Sequence, residues 1–368
     1  MRTLNLGLVV FFTAIMTAAL TAGPLNPPSG PVAPTYRTLS QVEPRIPLTP
    51  ETTPGDADST FRITQSGSYY LVGNLSAAPG KHGIEVASDD VTIDLQGYSI
   101  SGQSTSLSGI HAVTKAYITV RNGVIDHFGQ HGIDLIDSEH CRVEDVDVHH
   151  CGDDGVRVGG YSLLHQVRAR SNAGIGIDAN ISSLLSRCIA SSNGTGMDIG
   201  ARSIARDCEA SINQGNGFET GGLEAIFENC AAFSNAKNGF KVGSQGRVER
   251  CVASTNKLHG IEFGLESHIV ANVSRRNGLT GVGYGLYGNS EATRCRVENN
   301  TCTGNDAGIQ LEGPSNLVIG NRCSVNTVNF DIVSGNRVGT IVVLPVAGAV
   351  SGNSGGAGTA EVTDNLAY

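Results

Sequence analysis

Arg187-Cys188-Ile189-Ala190-Ser191-Ser192-Asn193, a glycine at Gly196 and then Met197-Asp198-Ile199 make up a phrase that the chain repeats. It returns as Asp207-Cys208-Glu209-Ala210 through Asn213 with Gly217-Phe218-Glu219, and as Asn229-Cys230-Ala231-Ala232 through Asn235 with Gly239-Phe240-Lys241. A further copy is Arg250-Cys251-Val252-Ala253 through Asn256 with Gly260-Ile261-Glu262. The period is about 21 residues, and self-similarity at such a period signals a repeat architecture. Each copy holds two or three short alternating runs separated by Asn, Gly or Ser, with no room for a ten-residue helix. Alternation specifies strands, and Asn and Gly supply tight turns. Leucines at fixed offsets, the mark of a leucine-rich repeat, are missing. Short strands stacking on their equivalents in the next coil give a right-handed parallel β-helix.

The columns of such a stack can be read directly. Cys188, Cys208, Cys230 and Cys251 form one, and Ala190, Ala210, Ala232 and Ala253 another. An Asn column runs through Asn172, Asn193, Asn213, Asn235, Asn256 and Asn277 and resumes at Asn305 and Asn326. Its amides are expected to hydrogen-bond along the stack while each Asn takes a left-handed turn conformation. The marker glycine recurs eleven times from Gly83 to Gly308, with Phe330 at the equivalent place in a further coil. This predicts about twelve coils, a stack of roughly 55–60 Å at 4.8 Å per coil.

Around the solenoid, the sequence divides into four parts. Residues 1–22 read as a signal peptide: Arg2 precedes an apolar run from Leu6 to Leu20, with small residues near Ala19–Gly23 for cleavage. Residues 23–58 hold most of the prolines and read as a linker, 59–345 as the β-helix, and 346–368 as a Gly/Ala-rich tail. Tyr69, Tyr70 and Tyr98 are expected to cap and pack the open first coils. The expected product is a secreted, periplasmic or cell-surface monomer, with no stable membrane insertion after signal cleavage. A formal charge of −9 and the lack of a basic stripe argue against nucleic acid as a partner. Export would permit disulfides among the nine cysteines. The stacked columns favour buried thiols, with Cys141 and Cys151 the pair most open to bonding.

A filled interior leaves outward positions and loops for function. Two residues after each marker glycine lies one outward column, which includes His111, Asp134, Arg157, Asp178, Asp198, Glu219, Lys241 and Glu262. The residues before the glycines form its neighbour, with His82, His131, Asp154, Asn216, Asn238 and His259. Any soluble sheet needs a polar face, and that suffices for Glu219, Lys241 and Glu262. One region exceeds this need: seven of the ten histidines fall between His111 and His165 beside seven aspartates, densest in Asp145–Arg157. Crowded carboxyls raise one another's pKa, which can keep one acid protonated beside an ionised partner. Two carboxylates about 6.5–9.5 Å apart would suit inverting glycoside hydrolysis. The same oxygens could instead hold Ca²⁺, with no cofactor otherwise implied and the metal left open.

The β-helix pattern across residues 61–335 resembles the pectate-lyase-like superfamily and its generic bacterial β-helix repeat proteins. Polygalacturonase-type hydrolases carry Asn-Thr-Asp-Gly-Ile, Gly-Asp-Asp-Cys and Gly-His-Gly on successive coils, followed by Arg-Ile-Lys. Here the same order reads Gln130-His131-Gly132-Ile133-Asp134, Gly152-Asp153-Asp154-Gly155-Val156 and Gly174-Ile175-Gly176-Ile177. Only the central pair matches. The resemblance implies Asp153 and Asp154 as the water-activating and acid carboxylates, and the charge clustered about them puts His131, Asp134, Arg157 and Asp178 around a substrate. It makes an acidic polysaccharide the expected partner, bound and, in an enzyme, cleaved by hydrolysis or elimination. A non-catalytic surface or adhesive module is the alternative. A further resemblance, to periplasmic β-helix proteins of copper-enzyme maturation, implies Cu or Zn ligands at His149-His150-Cys151 and His131, although adjacent strand residues point to opposite faces.

Overall fold

A computed structural model describes residues 43–278, 281–343, 349–352 and 364–367. The expected signal peptide, most of the linker and most of the tail lie outside them. No helix long and apolar enough to cross a membrane occurs among the described residues. The unit from Arg45 to the C-terminus is built of parallel strands on two sheets, one of 14 strands and one of 26. One coil shows the pattern: Leu184–Ser186 and Ile189–Ser191 join the larger sheet, and Thr195–Ile199 joins the smaller.

The smaller sheet takes one strand per coil, so there are fourteen coils where the glycine count predicts about twelve. The two extra strands lack the marker. Thr60 stands opposite Gly83 in Ser59–Ile63, and the last strand is Ala349–Gly352, inside the expected tail. Asn365–Ala367 is also a strand, paired with Arg322–Ser324 and Ile341–Val343. At the other end Ile46–Leu48 pairs with Gly67–Leu71, so the expected linker already carries a strand. Tyr69 is buried there and its hydroxyl donates to the Gln65 carbonyl at 2.8 Å, while Arg45 lies over the Tyr70 ring.

The marker glycine answers to space. None of the eleven has a positive φ. A Cβ on Gly239 would lie 2.7 Å from the Gly260 carbonyl oxygen, 2.8 Å from Asn256 Nδ2 and 3.1 Å from Ala253 Cβ. In the next-to-last coil the place falls to Asn329, one residue before the expected Phe330, because Ile309 pairs with Phe330. Asn329 Oδ1 accepts from Asn326 Nδ2 at 3.0 Å.

Left-handed conformation belongs to the residue before each ladder asparagine. Ser171, Ser192, Ser234 and Thr255 all have φ between 55° and 59°. Placing the strain on an outward side chain frees the buried Asn to turn inward. Asn172 N–H and Nδ2 both donate to Asn193 Oδ1 at 3.0 Å, and the pattern continues through Asn213, Asn235, Asn256 and Asn277. The cysteine column uses the same device and passes into it: Cys251 N–H donates to Asn272 Oδ1 at 2.8 Å, and Asn272 leads to Asn300, Asn321 and Asn365.

All nine cysteines are buried and free. Cys141 and Cys151 cannot pair as expected, because they stand in different turn columns. The Cys141 amide donates to Ser162 Oγ and the Cys151 amide to Asn172 Oδ1. Inside, Phe218 stacks on Phe240 at 4.8 Å with Phe227 edge-on to both, and the alanine column is fully buried.

Candidate functional site

The outward face of the 14-strand sheet is fixed by register. Asp134 pairs with Arg157, Arg157 with Asp178, and Asp178 with Asp198, followed by Glu219, Lys241 and Glu262. Arg157 is the hub. Its Nε lies 3.3 Å from Asp154 Oδ2 and 3.7 Å from Asp178 Oδ2, and its Nη1 lies 3.7 Å from Asp134 Oδ1. Nη1 is also 3.0 Å from His131 Nε2. The fold therefore gathers His131, Asp134, Asp154, Arg157 and Asp178, five of the six residues singled out in the sequence. Asp153, the sixth, stands at the rim with its side chain 58% exposed and Oδ2 3.9 Å from His131 Nε2.

Asp154 has a structural duty. In the column before the glycines, six side chains accept the amide of the residue that follows in the next coil. His82 Nδ1 takes the Ser108 N–H at 3.1 Å, His131 Nδ1 the Asp154 N–H at 3.2 Å, and Asp154 Oδ1 the Ile175 N–H at 2.6 Å. Asn216 and Asn238 do the same for Asn238 and His259, and His259 for Tyr284. A neutral imidazole accepts at one nitrogen only, so at His131 the Asp154 amide and the Arg157 guanidinium compete for one lone pair. Asp153 and Asp154 offer oxygens within 4.8 Å of each other, closer than the separation expected for inverting hydrolysis.

Electrostatics divide the carboxyls. Burial would push Asp134 up, but the close approach of His111 and the charges of His131 and Arg157 hold it below its ordinary value. His111 Nδ1 lies 3.4 Å from Asp134 Oδ2 and its ring stacks on His82 at 4.3 Å. Burial raises Asp154 against the Ile175 hydrogen bond, helped by Asp153. Burial and then Asp154 push Asp178 up to about 6. Burial, then Asp178 and Glu219, push Asp198 up to about 7. Sequence reasoning placed Asp198 in this column but gave it no role. The signal was present: Asp178-Asp198-Glu219 is a run of three carboxyls between the cations Arg157 and Lys241. Farther along, Lys241 Nζ and Asn216 Nδ2 both bond Glu219 at 2.9 Å, and Asn238 Nδ2 bonds Glu262 at 2.7 Å, which is a satisfied polar surface.

The raised carboxyls tie stability to pH. From the ordinary value of 3.8 up to about 7, the folded chain holds protons that the unfolded chain has released. Their contribution is complete below pH 3.8 and is lost as pH rises through about 6 to 7. Asp198→Asn, which needs no proton, is expected to exceed the wild type at pH 8 by on the order of 1 kcal/mol after discounting for solvent screening. The advantage should vanish near pH 4, and paired denaturation curves at the two pH values check this.

Ca²⁺ does not fit this group. Its preferred shell is six to eight oxygens, whereas Arg157 already occupies the space between Asp134, Asp154 and Asp178 and would repel a cation. The ligand set expected at His149-His150-Cys151 and His131 also separates. His131 stands just before the strand Ile133–Leu135 of the 14-strand sheet, and the Cys151 thiol is buried, pushed up to about 12 by that burial and directed at the His149 carbonyl.

The backbone is similar to two mannuronan C-5 epimerase A-modules of Azotobacter vinelandii. With AlgE6 the identity is 17% and the TM-score 0.53, covering 82% of this chain and 89% of that module. With AlgE4 the identity is 13% and the TM-score 0.50, covering 68% of this chain and 90% of that module. At such identities the likeness is one of fold. No curated protein matches the chain in sequence. The family described as "Right handed beta helix region" matches residues 60–203 and again 108–252, more than half of the chain. The parallel coils, their stacked ladders and this match together make the chain a member of the right-handed β-helix family.

Proposed function

We propose that the outer face of the 14-strand sheet binds an extended polysaccharide and that Asp178 and Asp198 exchange a proton with it. The observation that carries this reading is the pair of in-register carboxyls held near neutrality beside Arg157. An acid protonated near pH 7 next to ionised partners is the equipment of general acid–base chemistry on a glycosidic or sugar-ring carbon. Asp154, tied to the Ile175 amide and to Arg157, holds the guanidinium in place, and Asp153 and His131 border the site. Stacked in-register strands put Asp178 and Asp198 at roughly 4.8 Å spacing, nearer the separation of retaining glycosidases than that of inverting ones.

The expectation of an acidic glycan is narrowed by the charges. The column carries seven carboxyls from Glu85 to Asp331 and three cations, Arg62, Arg157 and Lys241, so a densely anionic chain would meet net repulsion. A neutral or sparsely acidic polysaccharide, with any uronate carboxylate meeting Arg157, suits the face better. The two epimerase modules of the same fold are named for action on mannuronan, which supports a glycan without choosing one.

The test is turnover and binding by the purified chain on neutral and acidic polysaccharides, alongside Asp178→Asn, Asp198→Asn and Asp154→Asn. Asn already serves at two places in the Asp154 column, so Asp154→Asn keeps the ladder. Loss of about 10²-fold or more in rate for Asp178→Asn and Asp198→Asn, with folding intact, is expected. Binding without turnover would leave the non-catalytic module. Neither binding nor turnover on any glycan would overturn the proposal.

A further inference from the structure

Away from the acidic face, three imidazoles meet on the side of the larger sheet. His149 ends the strand Arg142–His149, and His150 follows it with a φ of 57°. Strand alternation, which would send the two rings to opposite faces, therefore stops at His149. Their Nδ1 atoms are 2.9 Å apart. His127, on the preceding coil, stacks on His150 at 5.0 Å and meets His149 edge-on at 6.1 Å. One ring nitrogen from each of the three lies within 4.8 Å of the others.

The positive φ values of His127 and His150 are shared with turns all along the solenoid, so they belong to the fold. The side chains are what is unusual at this place. Most later coils carry Ser, Ile or Thr at the turn position of His127 and His150: Ser171, Ser192, Ile212, Ser234 and Thr255. Asp126 Oδ1 lies 3.2 Å from His127 Nδ1. An N–H donated there fixes the tautomer and leaves Nε2 as a lone pair, the arrangement in which a carboxylate orients a metal-binding imidazole. Arg170, in register with His149, is held by Asp147 at 3.1 Å. His127 and His150 also line a cavity of about 610 Å³ together with Phe128, Gly129 and Gly152, which gives an ion a way in.

We propose that His127, His149 and His150 form a site for one divalent late first-row transition metal ion, Zn²⁺, Cu²⁺ or Ni²⁺. Three imidazoles without an acidic ligand suit these ions and exclude Ca²⁺ and Mg²⁺, which take oxygen. Tetrahedral binding at 2.0–2.1 Å asks for ligand atoms about 3.4 Å apart, within small side-chain rotations of the separations seen. Asp126 acts as a positioning residue.

The experiment uses the full chain, stripped with chelator and dialysed, titrated with Zn²⁺ by calorimetry. One ion per chain is expected, with no response to Ca²⁺. His127→Ala, His149→Ala and His150→Ala should each weaken binding at least tenfold, Asp126→Asn about tenfold, and His268→Ala, an exposed histidine elsewhere, not at all. On the wild type, electron paramagnetic resonance of the Cu²⁺ complex should show hyperfine coupling to more than one imidazole nitrogen. Unchanged affinity in the three histidine variants, or a Cu²⁺ spectrum with oxygen ligands alone, would overturn the proposal.

Discussion

Gly239→Ala is expected to lower stability by about 3 kcal/mol or more, although it adds a single methyl group. The new Cβ would sit 2.7 Å from the Gly260 carbonyl oxygen, where no Cβ fits. It would also meet Asn256 Nδ2 at 2.8 Å and Ala253 Cβ at 3.1 Å. Each neighbour is committed: the Gly260 oxygen accepts the Phe240 amide at 2.9 Å, and Asn256 is in the ladder. Relief must come from shifting a coil against its successor, which weakens every bond between them. The expected readout is a fall in the denaturation midpoint with far-ultraviolet dichroism preserved in the cold. Gly73→Ala, where a Cβ meets nothing within 4 Å, should stay within about 0.5 kcal/mol of wild type. Equal behaviour of the two variants would show that the marker column is not a packing constraint.

Asn235→Ala should cost a similar amount, roughly 3–4 kcal/mol, by a different route. Asn235 Oδ1 accepts from the Asn213 amide at 3.1 Å and from Asn213 Nδ2 at 2.9 Å. Its own Nδ2 donates to the Ala210 carbonyl and to Asn256 Oδ1, both at 3.0 Å. All of these groups are buried, so truncation strips partners from donors and acceptors that water cannot reach. Removing one partner of a buried pair costs more than the net value of the bond. Because coils couple only to their neighbours, the variant should also broaden the transition by uncoupling the stack at this point. A loss below about 1 kcal/mol would mean that the ladder is replaced by water or by backbone shifts.

The same two columns explain how much could be read in advance. The period, the parallel stacking and the inward Asn, Ala and Cys columns were legible because every coil repeats the same demand at the same place. Register followed from the glycines, and with it the outward column from Glu85 to Gln310; Asp331 joins it only once the structure moves the last marker place from Phe330 to Asn329. What escaped was whatever one coil does differently from the rest. The first and last coils carry Thr60 and Val350 near the marker, so neither was counted. The left-handed residue was misplaced by one, since Ser192 and Asn193 are both good turn formers and only burial separates them. At the site, the match to a known motif drew attention to Asp153 and Asp154. The structure gives Asp154 a ladder bond and Arg157, and leaves Asp198 as the carboxyl with most reason to keep its proton. That depends on burial and on the distance to the next cation, which a linear sequence reveals only after the coils are stacked.

Acid–base chemistry on the 14-strand face requires a carboxyl that keeps a proton near pH 7. The direct measurement is a ¹³C nuclear magnetic resonance titration of the aspartate carboxyls, with Asp178→Asn and Asp198→Asn to assign the signals. Two resonances should titrate with midpoints near 6 and 7, the upper one disappearing in Asp198→Asn and the lower shifting down when its neighbour's charge is removed. If every aspartate carboxyl in the wild type titrates below pH 5, the site holds no such proton and the acid–base reading fails.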